Sequence, residues 1–205
     1  MKRNLSLILA IITWFAIITE YILFMEIRIV SALELSIRFL SYFTIQTHLM
    51  VAILLSYRVL KPKEPSNNLL NKAGTLTALT VYITVVGAVY QIMLRPVWDP
   101  QGMFRIADEL LHSIIPLAFI AYWYRFEDHT KVQWRQFSYW LIFPFIYLIY
   151  TLIHGYLSGY YPYPFVNVSE IGLQKVLLNS LALLFIFTFL SLAYIFIGKR
   201  SIKEN

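Results

Sequence analysis

Long apolar blocks separated by short polar breaks dominate the sequence, and they constrain its fold more than any other feature. Each block is about as long as the ~20 helical residues that cross a bilayer. The six blocks cover residues 5–24, 37–57, 76–94, 107–124, 137–155 and 176–197. Backbone polar groups inside a bilayer need internal hydrogen bonds, so these blocks are expected to be α-helices. The sequence therefore predicts an all-α polytopic membrane protein, in which six transmembrane helices form one bundle and one domain over residues 1–205.

Composition excludes several other classes of protein. The chain is 59% hydrophobic and only 14% charged, whereas about a quarter of the residues in soluble domains are charged. The basic residues behind the net charge of +6 lie in short loops rather than in a nucleic-acid-binding motif, so no nucleic acid partner is expected. The chain has no cysteine, which removes thiolate nucleophiles and cysteine zinc sites from consideration.

The distribution of Lys and Arg predicts the orientation. The N-terminal Lys2 and Arg3 precede an apolar run that is longer than a signal-peptide core, so we expect a retained first helix. Twelve of the 17 basic residues lie on the side of the two chain termini and five on the other side. The positive-inside rule therefore predicts cytoplasmic termini in a multi-pass protein of the cell membrane. The N-terminus lacks the amphipathic Arg and Ser pattern of a mitochondrial presequence, so we expect this to be the plasma membrane of a bacterium. The loops with Trp98 and Tyr161 then face outside.

Polar side chains recur at one depth of the predicted bundle. With this orientation and a rise of ~1.5 Å per helical residue, they fall in the outer half of each helix. They are Glu20, Thr44, His48, Gln91, Asp108, Glu109, His112, His154 and Asn179. Ionisable residues near the interface can also snorkel to water, and this simpler explanation applies most to Glu20 and Asp108. The deeper imidazoles of His48 and His112 favour a functional layer.

Spacing places several of these groups on common helix faces. Thr44 and His48 are four residues apart, and His112 follows Asp108 by four residues and Glu109 by three. Residues three or four apart are neighbours on a helix surface. A carboxylate beside an imidazole fixes its tautomer and raises its basicity. The sequence thus predicts a carboxylate–imidazole pair on the fourth helix.

Four motifs, in this order, resemble those of a known family. They are Tyr42-Phe43-Thr44-Ile45-Gln46, Arg95-Pro96-Val97-Trp98-Asp99-Pro100-Gln101-Gly102, Asp108-Glu109-Leu110-Leu111-His112 and Tyr161-Pro162-Tyr163-Pro164-Phe165. Together they resemble the bacterial "Pr-six-Pr" six-helix integral membrane proteins. That group is similar in turn to the eukaryotic androgen-induced and androgen-dependent tissue-factor-regulating membrane proteins. The resemblance extends from the second predicted helix through the sixth.

The resemblance implies an activity. The eukaryotic relatives are membrane hydrolases of fatty acid esters of hydroxy fatty acids, and they use a Thr and a His. Matched by motif, these two residues fall on Thr44 and His112, which the depth argument had already placed at a similar level. One departure is Thr47-His48, where many bacterial members are expected to have Ser-Asn. This chain therefore has an additional imidazole beside the candidate nucleophile.

A hydrolytic mechanism follows as a hypothesis. Thr44 attacks an ester carbonyl, His112 accepts its proton, and Asp108 or Glu109 orients the imidazole. Substrate contacts and stabilisation of the oxyanion are assigned to His48, Gln91, His154 and Asn179. The expected partners are membrane lipids, among them a lipid ester substrate, and no cofactor is required. The sequence leaves the oligomeric state open.

Two other functions remain open at this stage. Glu109 and His112 form a Glu-x-x-His pair, which predicts a metal-dependent enzyme if His48 and His154 complete the site. Di-iron bundles contain two such pairs, whereas this chain has one. In the other alternative the protein is a non-enzymatic lipid carrier, in which the polar layer orients a head group.

Overall fold

The computed structural model describes residues 1–61 and 68–203, with side chains through Ser201. This part of the chain is almost entirely helical and contains no β-strand. The predicted Pro-containing loop after Lys61 falls at residues 62–65, outside the described residues. The all-α class is confirmed.

Ten α-helices are numbered in chain order within the described residues. They are α1 (Lys2–Glu26), α2 (Ala32–Leu40), α3 (Phe43–Leu60), α4 (Thr75–Val89), α5 (Met103–Glu109), α6 (Ile115–Phe126), α7 (Gln136–Trp140), α8 (Ile142–Ser158), α9 (Val168–Ile171) and α10 (Leu173–Lys203). Two π-helical turns, Tyr90–Leu94 and Leu110–Ile114, extend α4 and join α5 to α6.

Five helical segments of the described chain are long and apolar enough to cross a membrane. They are Lys2–Glu26, Phe43–Leu60, Thr75–Leu94, Gln136–Ser158 and Leu173–Ser201. The predicted fourth span, residues 107–124, lies in a continuous helical segment from Met103 to Phe126 that is not among the five. Asp108, Glu109 and His112 lower the mean hydropathy of that segment. The count of six spans therefore stays a prediction.

The second span begins later than the sequence predicts. We expected a helix from residue 37, but the chain breaks between α2 and α3, where Tyr42 has an extended backbone. α2 is a separate short helix, and Ser31 caps it by accepting a hydrogen bond from the Glu34 N–H at 3.2 Å. Ile37, Phe39 and Leu40 belong to this helix, and their apolar side chains made the predicted span longer than the observed one.

The long helices alternate in direction. Near its start, α1 contacts the end of α6, where the Ser6 hydroxyl lies 2.7 Å from the Tyr122 hydroxyl. Arg58, near the end of α3, also reaches Tyr122 at 3.4 Å. We call this end of the bundle, where α1 begins, the basal end, and the opposite end the apical end. Gly198 of α10 lies against His129 of the α6–α7 loop, so both chain termini are basal.

α4 lies at the centre of the bundle. The segment Thr75–Leu94 consists of α4 and its π turn, and 67% of its most apolar 18 residues are buried. The corresponding value for Gln136–Ser158, which contains α7 and α8, is 11%. An aromatic cluster of Phe43, Tyr82, Phe143 and Phe187 joins α3, α4, α8 and α10. The peripheral helices α8 and α10 thus pack through large side chains and leave broad apolar surfaces exposed, as in a protein surrounded by lipid.

The two π-helical turns bring polar groups of neighbouring helices together. Pro116 lacks a backbone N–H and cannot complete the α-helical bond to the His112 carbonyl, which accounts for the π turn just before it. A methyl group on Gly87 of α4 would lie 3.2 Å from the same carbonyl oxygen, so the helices are in close contact here. π turns inside helices are frequent at functional sites.

Candidate functional site

The centre of the candidate site is a carboxylate–imidazole pair at the start of the Met103–Phe126 segment. The His112 Nδ1 lies 3.1 Å from the Asp108 Oδ1 and 3.0 Å from the Asp108 carbonyl oxygen. Asp108 is buried, with 6% of its surface exposed. Because Nδ1 donates to these oxygens, Nε2 is left as the acceptor. His112 therefore has the arrangement of a general base.

Tyr90 supports both members of this pair. Its ring stacks on the His112 imidazole, with centroids 4.1 Å apart and planes 12° apart. Its hydroxyl donates a short hydrogen bond to the second Asp108 carboxylate oxygen. Tyr90 begins the π turn at the end of α4, so this helix orients the imidazole and the carboxylate together.

Thr44 lies in the first turn of α3, and a loop tyrosine binds it there. Its backbone N–H donates to the Tyr163 hydroxyl at 3.2 Å, and its own hydroxyl lies 3.2 Å from the same oxygen. The first N–H groups of a helix have no partner within the helix, so Tyr163 caps α3 from outside. Burial raises the pKa of Tyr163, so the phenol stays neutral and keeps its proton to donate.

A second imidazole, that of His48, lies beside Thr44 on α3. It is fully buried one turn after Thr44, and its Nδ1 lies 2.7 Å from the Thr44 carbonyl oxygen. Its Nε2 has no hydrogen-bond partner in the described part of the chain. His48 also interacts electrostatically with His112. Thr44 and His112, both described, share no hydrogen bond, and the Thr44 hydroxyl is bound to Tyr163 instead.

A second carboxylate belongs to this cluster. Glu20 of α1 interacts electrostatically with Asp108 and with Tyr42. One of its carboxylate oxygens is buried without a hydrogen-bond partner among the described residues. Contact with water therefore does not account for the whole Glu20 carboxylate, since one of its oxygens is buried.

The apical loop forms a cavity beside Asp108. This cavity has a volume of about 190 Å³. Its lining consists of Tyr90, Arg95, Trp98, Asp99, Pro100, Arg105, Asp108 and Glu109. The loop motif from Arg95 to Gly102 thus encloses a space that has Asp108 and Tyr90 in its wall, and the carboxylate can be reached from the apical end.

Glu109 and Gln91 lie in a different network. Glu109 forms an ion pair with Arg95 and accepts a hydrogen bond from Ser113 at 2.7 Å. Gln91 donates to the Ser113 hydroxyl at 2.8 Å and accepts from Arg95 at 2.8 Å. Of the two carboxylates predicted to orient His112, the structure brings only Asp108 to it. Gln91 is exposed and bound to Ser113 and Arg95, so its predicted contact with the substrate stays a prediction.

His154 and Asn179 also lie away from the pair. His154 stacks on Tyr150 at 5.6 Å, and the Tyr160 ring is 6.4 Å away. Asn179 donates its amide to the Phe165 carbonyl at 2.9 Å. Asn179 thereby anchors the loop that carries Tyr163, and its predicted oxyanion contact stays a prediction.

The described residues contain no group of three or more His, Asp or Glu arranged to hold a metal ion. Glu109, one half of the predicted Glu-x-x-His pair, is bound by Arg95 instead. Among the described residues, the set of Glu109, His112, His48 and His154 predicted to hold a metal ion is therefore not brought together.

Sequence reasoning missed two residues of the site, Tyr90 and Tyr163. Tyrosines are abundant in this chain, and most serve the core or the membrane interface. The position of Tyr163 between Pro162 and Pro164 was the available signal, because a Pro-flanked aromatic residue in a short loop has a fixed backbone.

Comparison with known proteins adds no identification. The chain matches no protein-family model, no curated protein sequence and no solved structure at a significant level. The resemblance drawn from the four motifs therefore stays a prediction, and function has to be argued from the site.

Proposed function

We propose that the protein is a membrane hydrolase that cleaves carboxylic esters of lipids near the apical end of its bundle. The observation that carries the proposal is the buried Asp108–His112 pair, with 3.1 Å between Oδ1 and Nδ1. A carboxylate that fixes one ring nitrogen prepares the other to accept a proton, as in Ser-His-Asp hydrolases. Burying ionisable groups among apolar helices is costly, and such groups are usually functional.

Thr44 is the nucleophile in this proposal. Its hydroxyl lies at the N-terminal turn of α3, where the helix dipole stabilises developing negative charge. Tyr163 lies 3.2 Å away and adds a neutral donor. In this proposal the N-terminal turn of α3 supplies the donors to the substrate carbonyl, and His112 supplies the base.

The reaction proceeds in two steps. The Thr44 oxygen bonds to the ester carbonyl carbon while His112 Nε2 takes the hydroxyl proton. The tetrahedral oxyanion collapses, the bond to the alcohol oxygen breaks, and His112 returns the proton to that oxygen. Water, deprotonated by His112, then attacks the acyl carbon, the bond to the Thr44 oxygen breaks, and His112 returns the proton to that oxygen as the acid leaves. Catalytic hydrogen bonds are often long in free enzymes, and we expect substrate to close the gap between the two residues.

The substrate class follows from the position of the site among apolar helices. An ester with long chains keeps those chains in the hydrocarbon while its carbonyl reaches the polar layer. The motif resemblance points to the same class, esters of fatty acids with hydroxy fatty acids. Membrane lipids are therefore the proposed partners, and the chemistry requires no cofactor.

The proposed topology has six spans, with Met103–Phe126 as the fourth. The basal end lies in the cytoplasm and the apical end outside the cell membrane. The 12 basic residues on the side of the termini support this orientation. A helix with several ionisable residues can still span when these face the bundle interior, as Asp108 does.

The test uses purified protein in nanodiscs with a fluorogenic long-chain ester and a fatty acid ester of a hydroxy fatty acid. We expect Thr44→Ala and His112→Ala each to lower turnover by about a thousandfold or more, as for other nucleophile–base pairs. A long-chain fluorophosphonate should label the wild type at Thr44, identified by peptide mass spectrometry. His129→Ala, in the α6–α7 loop at the basal end, is the matched control and should retain turnover.

Each result bears on a different part of the proposal. Turnover that survives Thr44→Ala but not His112→Ala would contradict the nucleophile and leave the base. Undiminished turnover in both variants would contradict the hydrolase. A lipid that copurifies with the wild type and stays intact through prolonged incubation would favour the carrier.

A further inference from the structure

The basal end contains a second cavity, which the ester chemistry does not use. Its volume is about 570 Å³, within the range of small-molecule sites. Six of its lining residues are basic: Lys2, Arg3, Arg58, Lys61, Lys72 and Lys131. They come from the start of α1, the end of α3, the segment before α4 and the loop after α6. Four parts of the chain therefore converge on one positively charged cavity.

The two carboxylates in the wall are engaged by neighbours. Glu127 accepts hydrogen bonds from the Thr77 N–H at 2.9 Å and from the Thr77 hydroxyl at 2.8 Å, capping α4. Asp128 pairs with Lys131 at 2.7 Å, and this contact lowers the pKa of Asp128. The acidic groups thus serve local structure, and the cavity keeps an excess of positive charge.

Aromatic rings hold two of the cations at the cavity. The Arg58 guanidinium lies over the Tyr122 ring at 5.8 Å, and the Lys2 ammonium lies 5.9 Å from the centre of the Phe126 ring. Tyr122 is itself fixed by Ser6 at 2.7 Å. Such contacts orient the cationic groups before a ligand arrives, which reduces the entropy lost on binding.

We propose that this basal cavity binds a phosphate-bearing anion. Arg and Lys clusters recognise phosphate oxygens through charge-assisted hydrogen bonds. The positive-inside rule accounts for basic residues in loops at this end, but it does not require them to line a concave space. The same chemistry fits the head group of an anionic phospholipid or a soluble phosphorylated compound, and the experiment separates these sources.

The experiment uses the full chain with two probes. Inorganic pyrophosphate is titrated by calorimetry into protein in phosphatidylcholine nanodiscs. Short-chain phosphatidylglycerol is added to protein in neutral detergent and counted by native mass spectrometry. The test variant is Lys2→Gln/Lys72→Gln, in which both exposed residues line the cavity. The control is Arg125→Gln/Arg135→Gln, which removes the same charge from exposed positions at the same end, outside the lining.

We expect at least one probe to bind with a stoichiometry of one. The test variant should weaken that binding about tenfold or more, and the control should change it by less than about twofold. Binding of phosphatidylglycerol alone assigns the site to a lipid head group, and binding of pyrophosphate assigns it to soluble phosphates. Equal weakening in the two double variants, or no binding of either probe, would overturn the proposal. Melting temperatures of both variants check that each one folds.

Discussion

Among single residues, Asp108 and Glu109 are adjacent in sequence but have different partners. Asp108 is buried against His112, whereas Glu109 faces Arg95 at the surface. Asp108→Asn keeps the shape but removes the charge that fixes the imidazole. We expect it to lower the turnover number about a hundredfold or more, and steady-state ester hydrolysis in nanodiscs measures this.

Glu109→Gln is the matched control for that prediction. It removes an ion pair that is partly exposed, and such pairs contribute little to the stability of the fold. Turnover should therefore change by about twofold or less. Similar losses in both variants would mean that the orientation of His112 by Asp108 is not what limits the reaction. Melting curves for both variants separate lost activity from lost folding.

The sequence could identify the Asp108–His112 pair but could not choose between the two carboxylates. Spacings of three and four residues both bring a carboxylate near His112 on a regular helix. Which carboxylate contacts His112 depends on Arg95, which follows the π turn of α4 and forms an ion pair with Glu109. The role of Tyr163 could not be predicted either, because its contact with Thr44 joins positions 119 residues apart in the sequence.

At the scale of helices, the apolar blocks predicted most of the structure because length and hydropathy are local properties. The break before Phe43 and the two π turns were not predicted. Each depends on packing: α2 buries Leu35 and Phe39, and the π turns bring Tyr90 against His112. Pro116 was the one local signal for the second π turn, since proline disturbs the helical bond four residues back.

The junction of α8 with the apical loop allows a test at this scale. A methyl group on Gly155 would lie 2.0 Å from the Tyr161 ring, so Gly155→Ala must displace Tyr161. Tyr161 precedes the Pro162–Pro164 segment that carries Tyr163. We expect Gly155→Ala to lower the free energy of unfolding by about 1–3 kcal/mol, the usual cost of overpacking. Unfolding in mixed micelles measures this change.

The same junction supplies its own control. Tyr161→Ala removes the ring that the new methyl group would overlap. If this overlap causes the loss of stability, Gly155→Ala should lower the free energy of unfolding much less in the Tyr161→Ala background than in the wild type. Equal costs in both backgrounds would show that the effect arises from α8 itself.

For the whole molecule, the arrangement of its two ends follows from the alternating helices. The apical end holds the polar cluster and the smaller cavity, and the basal end holds the basic cavity. Between them the outer helices expose large apolar side chains, such as Phe185 of α10 at 72%. Such a surface suits lipid rather than water, so each cavity would meet a different side of the membrane.

Labelling of single cysteines tests this arrangement. The chain contains no cysteine, so each introduced thiol is the sole target. Gln101→Cys lies in the exposed apical loop and Gln133→Cys in the exposed basal loop. In intact bacterial cells we expect a membrane-impermeant maleimide to label Gln101→Cys, and to label Gln133→Cys only after the membrane is permeabilised.

This pair of positions also decides the number of spans, because Met103–Phe126 is the one long helical segment between them. If that segment crosses the membrane despite Asp108, Glu109 and His112, the two thiols must lie on opposite sides. If it lies at one interface, both thiols react from the same side and the six-span topology is wrong. A reversed pattern would keep six spans but put the Asp108–His112 pair on the cytoplasmic side, where its ester substrate would come from the inner leaflet.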